Sequence, residues 1–392
     1  MDKKRHLLFI IGTAWMIDAL DVALLSFIMP LIKNEWDVGS TELGLAAAVT
    51  SIGMFVGSIV CGKLADKYGR KNIIIGTLLI FSLGNLALIF APNILWFMVI
   101  RFITGIGLGG ELPVAATIIA DNYTGTKRSQ MLLLADSFWA YGWILASLIS
   151  FLIIPRFGWR AAVALAALFA FYALALRKHL PNEPINKKSH EGTFKELLSS
   201  KHRSRLIVLS IMWFIVMLTY YGIFLWLPTV LTMRGFSIVN SLGYTLIMSI
   251  AQLPGYYLAA YLMNKMSRKK ILAIYLLGTL ISSFVFGFGT NIALILVAGA
   301  FMSFFDLGAW GTLISLTPAQ FPEKIRGTAM GTAQAVGRVG ATVGPFLVGW
   351  LFDFKLGISV IFSVFAVLLI IAIVVARILK IRTALFLGHN PR

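Results

Sequence analysis

Gly62-Lys63-Leu64-Ala65-Asp66-Lys67-Tyr68-Gly69-Arg70-Lys71 is a short basic turn between two long apolar runs, and it returns 198 residues later as Ala260-Tyr261-Leu262-Met263-Asn264-Lys265-Met266-Ser267-Arg268-Lys269. The same offset carries Arg128 onto Arg326. Two matches at one spacing mark an internal duplication, with two similar halves facing each other across a central path. In the second copy Asn264 stands for Asp66 and Ser267 for Gly69, so that turn is expected to hold less firmly.

The runs on either side of these turns are long enough to cross a bilayer. With 59% hydrophobic residues and a mean hydropathy of +0.87, the chain has more apolar surface than a water-soluble core could hide. Spanning hydrocarbon takes about 20 apolar residues, and the sequence predicts spans over 7–32, 42–65, 73–90, 94–120, 129–153, 160–179, 206–231, 239–263, 271–288, 291–317, 327–351 and 357–379. The fold class is therefore an all-α polytopic membrane protein of twelve transmembrane helices in two six-helix halves. The expected organisation is an N-terminal half over 1–179, a linker over 180–205, a C-terminal half over 206–379 and a tail over 380–392.

A formal charge of +18 raises the possibility of nucleic-acid binding, but the basic residues sit in short clusters between apolar runs rather than in one stripe. Their placement reports topology. With the N-terminus inside, only Lys33, Arg156, Arg160, Arg234 and Lys355 fall outside and only Arg101 and Arg338 fall within spans, so both termini are expected on the cytoplasmic side of the inner membrane. Cys61 is the single cysteine, which excludes a disulfide framework and a multi-cysteine metal site. The opening Met1-Asp2-Lys3-Lys4-Arg5-His6 resembles a signal peptide, yet the following run to Ile32 is too long and lacks a small-residue cleavage site, so it reads as a retained first helix.

The Gly62 to Lys71 segment resembles the signature loop of the major facilitator superfamily, between helices two and three. Gly62 allows close packing, Asp66 can bond a helix end or a base, and Gly69 turns the chain before Arg70 meets headgroups or a carboxylate. That cluster, with Arg128 and its repeat Arg326, is a candidate latch; a merely solvated basic turn is the alternative. Thr317-Pro318-Ala319 through Arg326-Gly327-Thr328 looks like the segment after helix ten of sugar porters, with Ala319 where a glutamate is usual, which implies one ion pair fewer. Gly105-Ile106-Gly107-Leu108-Gly109-Gly110 formally matches a dinucleotide fingerprint, but no strand precedes it, and helix packing explains it better.

Ionisable residues at membrane depth are costly and need partners: Asp18, Asp21, Arg101, Glu111, Asp136, Asp306 and Arg338. At roughly 1.5 Å per residue, Asp21 lies about 20 Å and Arg101 about 25 Å from the cytoplasmic side, so they can meet. Asp18 and Asp21 share a face of helix one, and Arg101 can fully neutralise only one of them. The other is a candidate for reversible protonation, as proton coupling requires; a static ion pair is the alternative. Asp306 and Arg338 both sit about 16 Å deep and look like a second pair, structural or substrate-binding. Glu111 and Asp136, near 10 to 14 Å deep, are candidates for a relay or inner gate; a helix-packing hydrogen bond is the alternative.

Among the aromatics Trp15, Trp139, Trp143, Tyr220, Tyr221, Trp226, Tyr256, Tyr257 and Trp310, most are expected at the lipid surface or interface. Tyr220-Tyr221-Gly222 is set apart because Gly222 and Pro228 soften helix seven, and tyrosines beside a flexible point suit an aromatic substrate.

Helix one with Asp18-Ala19-Leu20-Asp21, the Gly62 loop, Arg101 with Glu111 and Pro113, and Tyr220-Tyr221-Gly222 together resemble bacterial niacin transporters. Two aspartates three apart also resemble the aromatic-acid symporter pattern, with Ala19 where glycine is usual. The resemblance implies import of nicotinate or nicotinamide by proton symport, a carboxylate meeting Arg101 or Arg338, and rings stacking on Trp139, Trp143, Tyr220 or Tyr221. Importers of another aromatic acid or of a sugar, and drug exporters, share the fold. An enzyme lacks a nucleophile with a base, an ATP-driven pump lacks its phosphate loop, and neither metal nor cofactor is expected. The expected partners are the small molecule, protons and lipid, with no nucleic acid and a monomeric chain.

Overall fold

The computed structural model describes residues 3–68, 70–123, 125–177, 194–263 and 265–379. Gly69 and most of the 180–205 linker lie outside that set, as do the tail and the side chains of Gly62, Asp66, Arg70, Glu111 and Arg128.

Among the described residues twelve helical rods cross the molecule. In the first half these are α1 Lys3–Trp36, α2 Ser40–Tyr68, α3 Arg70–Leu88 and α4 Ile94–Asn122, then α5 from Gly125–Asp136 on through 138–157, and α6 over 159–177. In the second half come α7 (Ser200–Phe224 then Leu227–Met233), α8 (Ile238–Ile250 then Gln252–Leu262), α9 Arg268–Phe288, α10 Ile292–Ala319, α11 Glu323–Asp353 and α12 Ile358–Ile378. Gly158, at φ 77°, makes the joint between α5 and α6.

Several rods outrun their predicted spans. α7 begins at Ser200 rather than 206, because Lys201, Arg203 and Arg205 are good helix formers and need not be apolar where a helix projects past hydrocarbon. Among the described residues, eight stretches are long and apolar enough to cross a membrane on length and composition alone. Of the other crossings, α5 and α6 run together as one stretch, and α8 is interrupted at Ala251.

Lipid-facing positions are taken by plain hydrocarbon side chains such as Leu83, Leu168, Ile281, Val297 and Val374, all exposed on the bundle. Inside each half, small residues let backbones touch. A Cβ on Gly105 would run into the Thr50 carbonyl, and one on Gly109 into the backbone of Met54, so α2 and α4 lie against each other as the glycine run implies.

The two halves meet over the end of the bundle away from the chain termini. Ser51 Oγ donates to the Ala341 carbonyl at 3.3 Å between α2 and α11, and Ser147 and Ser249 hydroxyls meet at 3.1 Å between α5 and α8. Asp353, at the end of α11, accepts from the first backbone N–H groups of α2, Ser40 at 3.0 Å and Thr41 at 2.8 Å.

Candidate transport site

Three rods are interrupted inside the bundle. In α7 the break falls at Leu225 and Trp226. Pro228 has no N–H to give the Phe224 carbonyl, and Ser26 Oγ of α1 supplies the missing bond at 2.9 Å. In α8 the break at Ala251 precedes Pro254, and in α5 it falls at Ser137, whose hydroxyl donates back to Leu134 O at 2.8 Å.

Asp21 and Arg101 meet. Arg101 Nη1 donates to Asp21 Oδ2 at 2.8 Å with both side chains almost fully buried, and its Nε donates to Thr50 Oγ1 at 3.1 Å. Such a pair needs geometry of this kind to offset the cost of removing two charges from water. Asp18, one turn toward the N-terminus, is equally buried and lies in the electrostatic neighbourhood of Tyr221.

Tyr220 is the hub of an aromatic cluster that joins the halves. Trp139 Nε1 of α5 donates to its hydroxyl at 2.8 Å. The rings of Trp143, Phe224, Trp310 and Tyr221 pack around it with centroids 5.0 to 6.0 Å away, and Trp213 adds an edge-to-face contact with Trp310 at 5.5 Å. These separations suit aromatic pairing.

The aromatics therefore correct one expectation. Of the nine singled out, all but Tyr257 are buried, packed ring against ring inside the bundle or bonded within it, as Trp139 is to Tyr220 and Trp226 to the Pro345 carbonyl. Exposed tryptophans are Trp96 and Trp350, near helix ends.

A second correction concerns Asp306 and Arg338, which do not pair. Arg338 Nη1 turns to Tyr221 Oη at 3.3 Å and the Met54 sulfur at 3.6 Å. Asp306, 1% exposed, finds no hydrogen-bond partner for either oxygen among the described residues. Equal depth placed them level, but Asp306 faces Tyr220 and Tyr256 while Arg338 faces α7 and α2.

Asp136 sits at the α5 break beside Tyr256 and Trp310. The side chain of its proposed relay partner Glu111 lies outside the described residues, as do the latch positions Gly62, Asp66, Gly69, Arg70 and Arg128. Arg326 lies near Arg268. Residues the sequence did not single out are Thr50, Ser26 and Gln252; for Gln252 the signal was Pro254 two positions on, and for Thr50 there was none.

Twelve rods in two halves, with buried charge and aromatics between them, define a secondary transporter. The chain belongs to the Major Facilitator Superfamily, which it matches over residues 11–251 and 241–386. It is 45% identical over 376 residues to a Bacillus subtilis chain bearing the name niacin/nicotinamide transporter NiaP, covering 94% of each. It is 36% identical to the niacin transporter NiaP of Acinetobacter baylyi, over 95% of this chain and 93% of that one. A D-xylose–proton symporter superposes with a TM-score of 0.79 at 19% identity, covering 95% of this chain and 96% of the other, a likeness of fold alone. The protein is thus a multi-pass membrane transporter of a small molecule, and not an enzyme.

Proposed function

We propose that the protein imports a small aromatic carboxylate or its amide, nicotinate or nicotinamide, by proton symport with alternating access. It does so across the inner membrane with both termini cytoplasmic, in keeping with the skew of Lys and Arg along the chain. The substrate class rests on the names of the relatives, and the observation that carries it to this chain is the Tyr220 cluster. Rings contributed by α5, α7 and α10 form a platform on which a flat heteroaromatic ring can stack, with Arg338 beside Tyr221 to meet a carboxylate.

Asp21 and Arg101 supply the coupling. A proton reaching Asp21 neutralises the carboxylate and releases Arg101; loss of that proton to the cytoplasm restores the pair. Asp18 is placed one turn away to receive the proton before or after Asp21. Rocking of the halves then requires the contacts over the far end to open, the Asp353 bonds to α2 among them.

The test is uptake of radiolabelled nicotinate into proteoliposomes with and without an inward proton gradient, competed by nicotinamide, benzoate and glucose. Gradient-driven uptake that nicotinamide blocks and glucose does not is the expected result. Asp21→Asn should lose accumulation against a gradient while still exchanging substrate; full gradient-driven accumulation by this variant would overturn the coupling role.

A further inference from the structure

The parallel packing of α8 on α10 sets a row of polar side chains facing one another. Cβ atoms built on Gly255 and Gly299 would meet Phe304 and Met248, and one on Gly311 would meet Tyr256, so residues 248, 255 and 256 of α8 lie against 299 to 311 of α10. Gln252 shares that face of α8, four residues from both Met248 and Tyr256. Ser303, Asp306 and Trp310 follow one another at helical spacing on α10.

Gln252 is 0% exposed and Asp306 1%, and the side-chain amide of the first, like the carboxylate of the second, has no hydrogen-bond partner among the described residues; Ser303 Oγ is in the same position. Asp306 lies in the electrostatic neighbourhood of both Tyr220 and Tyr256, which places this polar row against the aromatic platform. Arg338, the base on the other side of that platform, is engaged by Tyr221 and Met54. A buried carboxylate and a buried carboxamide left unmatched at a packed interface each carry a large desolvation penalty. A ligand group that presents N–H to the one and C=O to the other removes both.

We propose that Gln252 and Asp306 form the amide-recognising end of the substrate site, the carboxylate accepting from the ligand's carboxamide N–H and Gln252 Nε2 donating to its carbonyl. This rests on the reading of the aromatic platform as the binding site and adds to it a polarity: the Arg338 end takes a carboxylate, and the Asp306 end takes an uncharged amide. A single platform then serves acid and amide in opposite orientations, and Asp306 and Gln252 are the residues that set the preference between them.

The test is direct binding of labelled nicotinamide and labelled nicotinate to the purified full chain, wild type beside Asp306→Asn and Gln252→Leu. Asp306→Asn should weaken nicotinamide about 10-fold or more while nicotinate is unchanged, because the N–H groups of the new side chain oppose those of the ligand's carboxamide. Gln252→Leu should weaken nicotinamide and spare nicotinate, and it decides the matter if the aspartate variant fails to fold. Equal weakening of both ligands, or none of either, overturns the proposal. Wild-type protein that binds nicotinate but not nicotinamide also overturns it while leaving the transport reading intact; wild-type protein that binds neither sinks that reading itself.

Discussion

Asp21 and Asp306 are two buried carboxylates in two related halves, and their surroundings differ in kind. Asp21 is clamped by Arg101, which is itself held by Thr50. Asp306 lies among tyrosines and a tryptophan and has no hydrogen-bond partner among the described residues. A met charge is a reversible element, since a proton can break and remake the pair. A buried carboxyl with no such partner is open to a group that is not part of the chain. On the proposed reading, the duplication has diverged so that the N-terminal half carries the coupling pair and the C-terminal half carries the unmet carboxyl of the binding site.

The largest effect should come from breaking the met side. Arg101→Ala leaves Asp21 buried without its partner, and removing one member of such a pair costs about 3 to 5 kcal/mol. The purified variant should melt far below wild type and show no uptake. Asp306→Asn should move stability little or upward, because Asp306 has no hydrogen-bond partner among the described residues for the substitution to strand. If the two variants lower the melting temperature alike, the contrast between the halves is wrong.

Next comes the clasp over the far end. Asp353 accepts two backbone N–H bonds from the start of α2, which crosses from one half to the other and favours a negative group at a helix N-terminus. Asp353→Asn should weaken it by about 1 to 2 kcal/mol, and so shift the balance of conformers toward opening at that end by about 5- to 30-fold. Distances between spin labels on the 36–40 and 234–237 loops should report the longer separation; an unchanged distribution would remove Asp353 from the gate. Arg160, bonded to Glu35 at 2.6 Å nearby, lies within the N-terminal half and should leave that distribution alone when changed to Ala.

Much of this was legible in the residues. The duplicated turn at Gly62 and Ala260 yields the two halves, and helical rise alone brings Asp21 level with Arg101. Rise gives depth but says nothing of azimuth, which is why Asp306 and Arg338 read as partners though they face different neighbours. Hydropathy likewise cannot tell a tryptophan turned to lipid from one turned inward, as Trp139 and Trp310 show. Gln252 escaped notice because a lone glutamine in an apolar run matters only once Pro254 is seen to break the helix beneath it.

The smallest effect tests whether a broken helix is also a joint between the halves. Pro228 deprives the Phe224 carbonyl of its helical partner, and Ser26 of α1 answers it from the other half at 2.9 Å. Ser26→Ala alone should cost about 1 kcal/mol, the price of one buried acceptor losing its donor. Pro228→Ala restores an N–H in register with that carbonyl, so in its background Ser26→Ala should cost almost nothing, and the non-additivity isolates the bond. If the serine substitution costs the same in both backgrounds, the Ser26 contact is incidental packing. If the cost vanishes as expected, the proline has exchanged a bond within one helix for a bond between halves, one that must break whenever α1 and α7 separate.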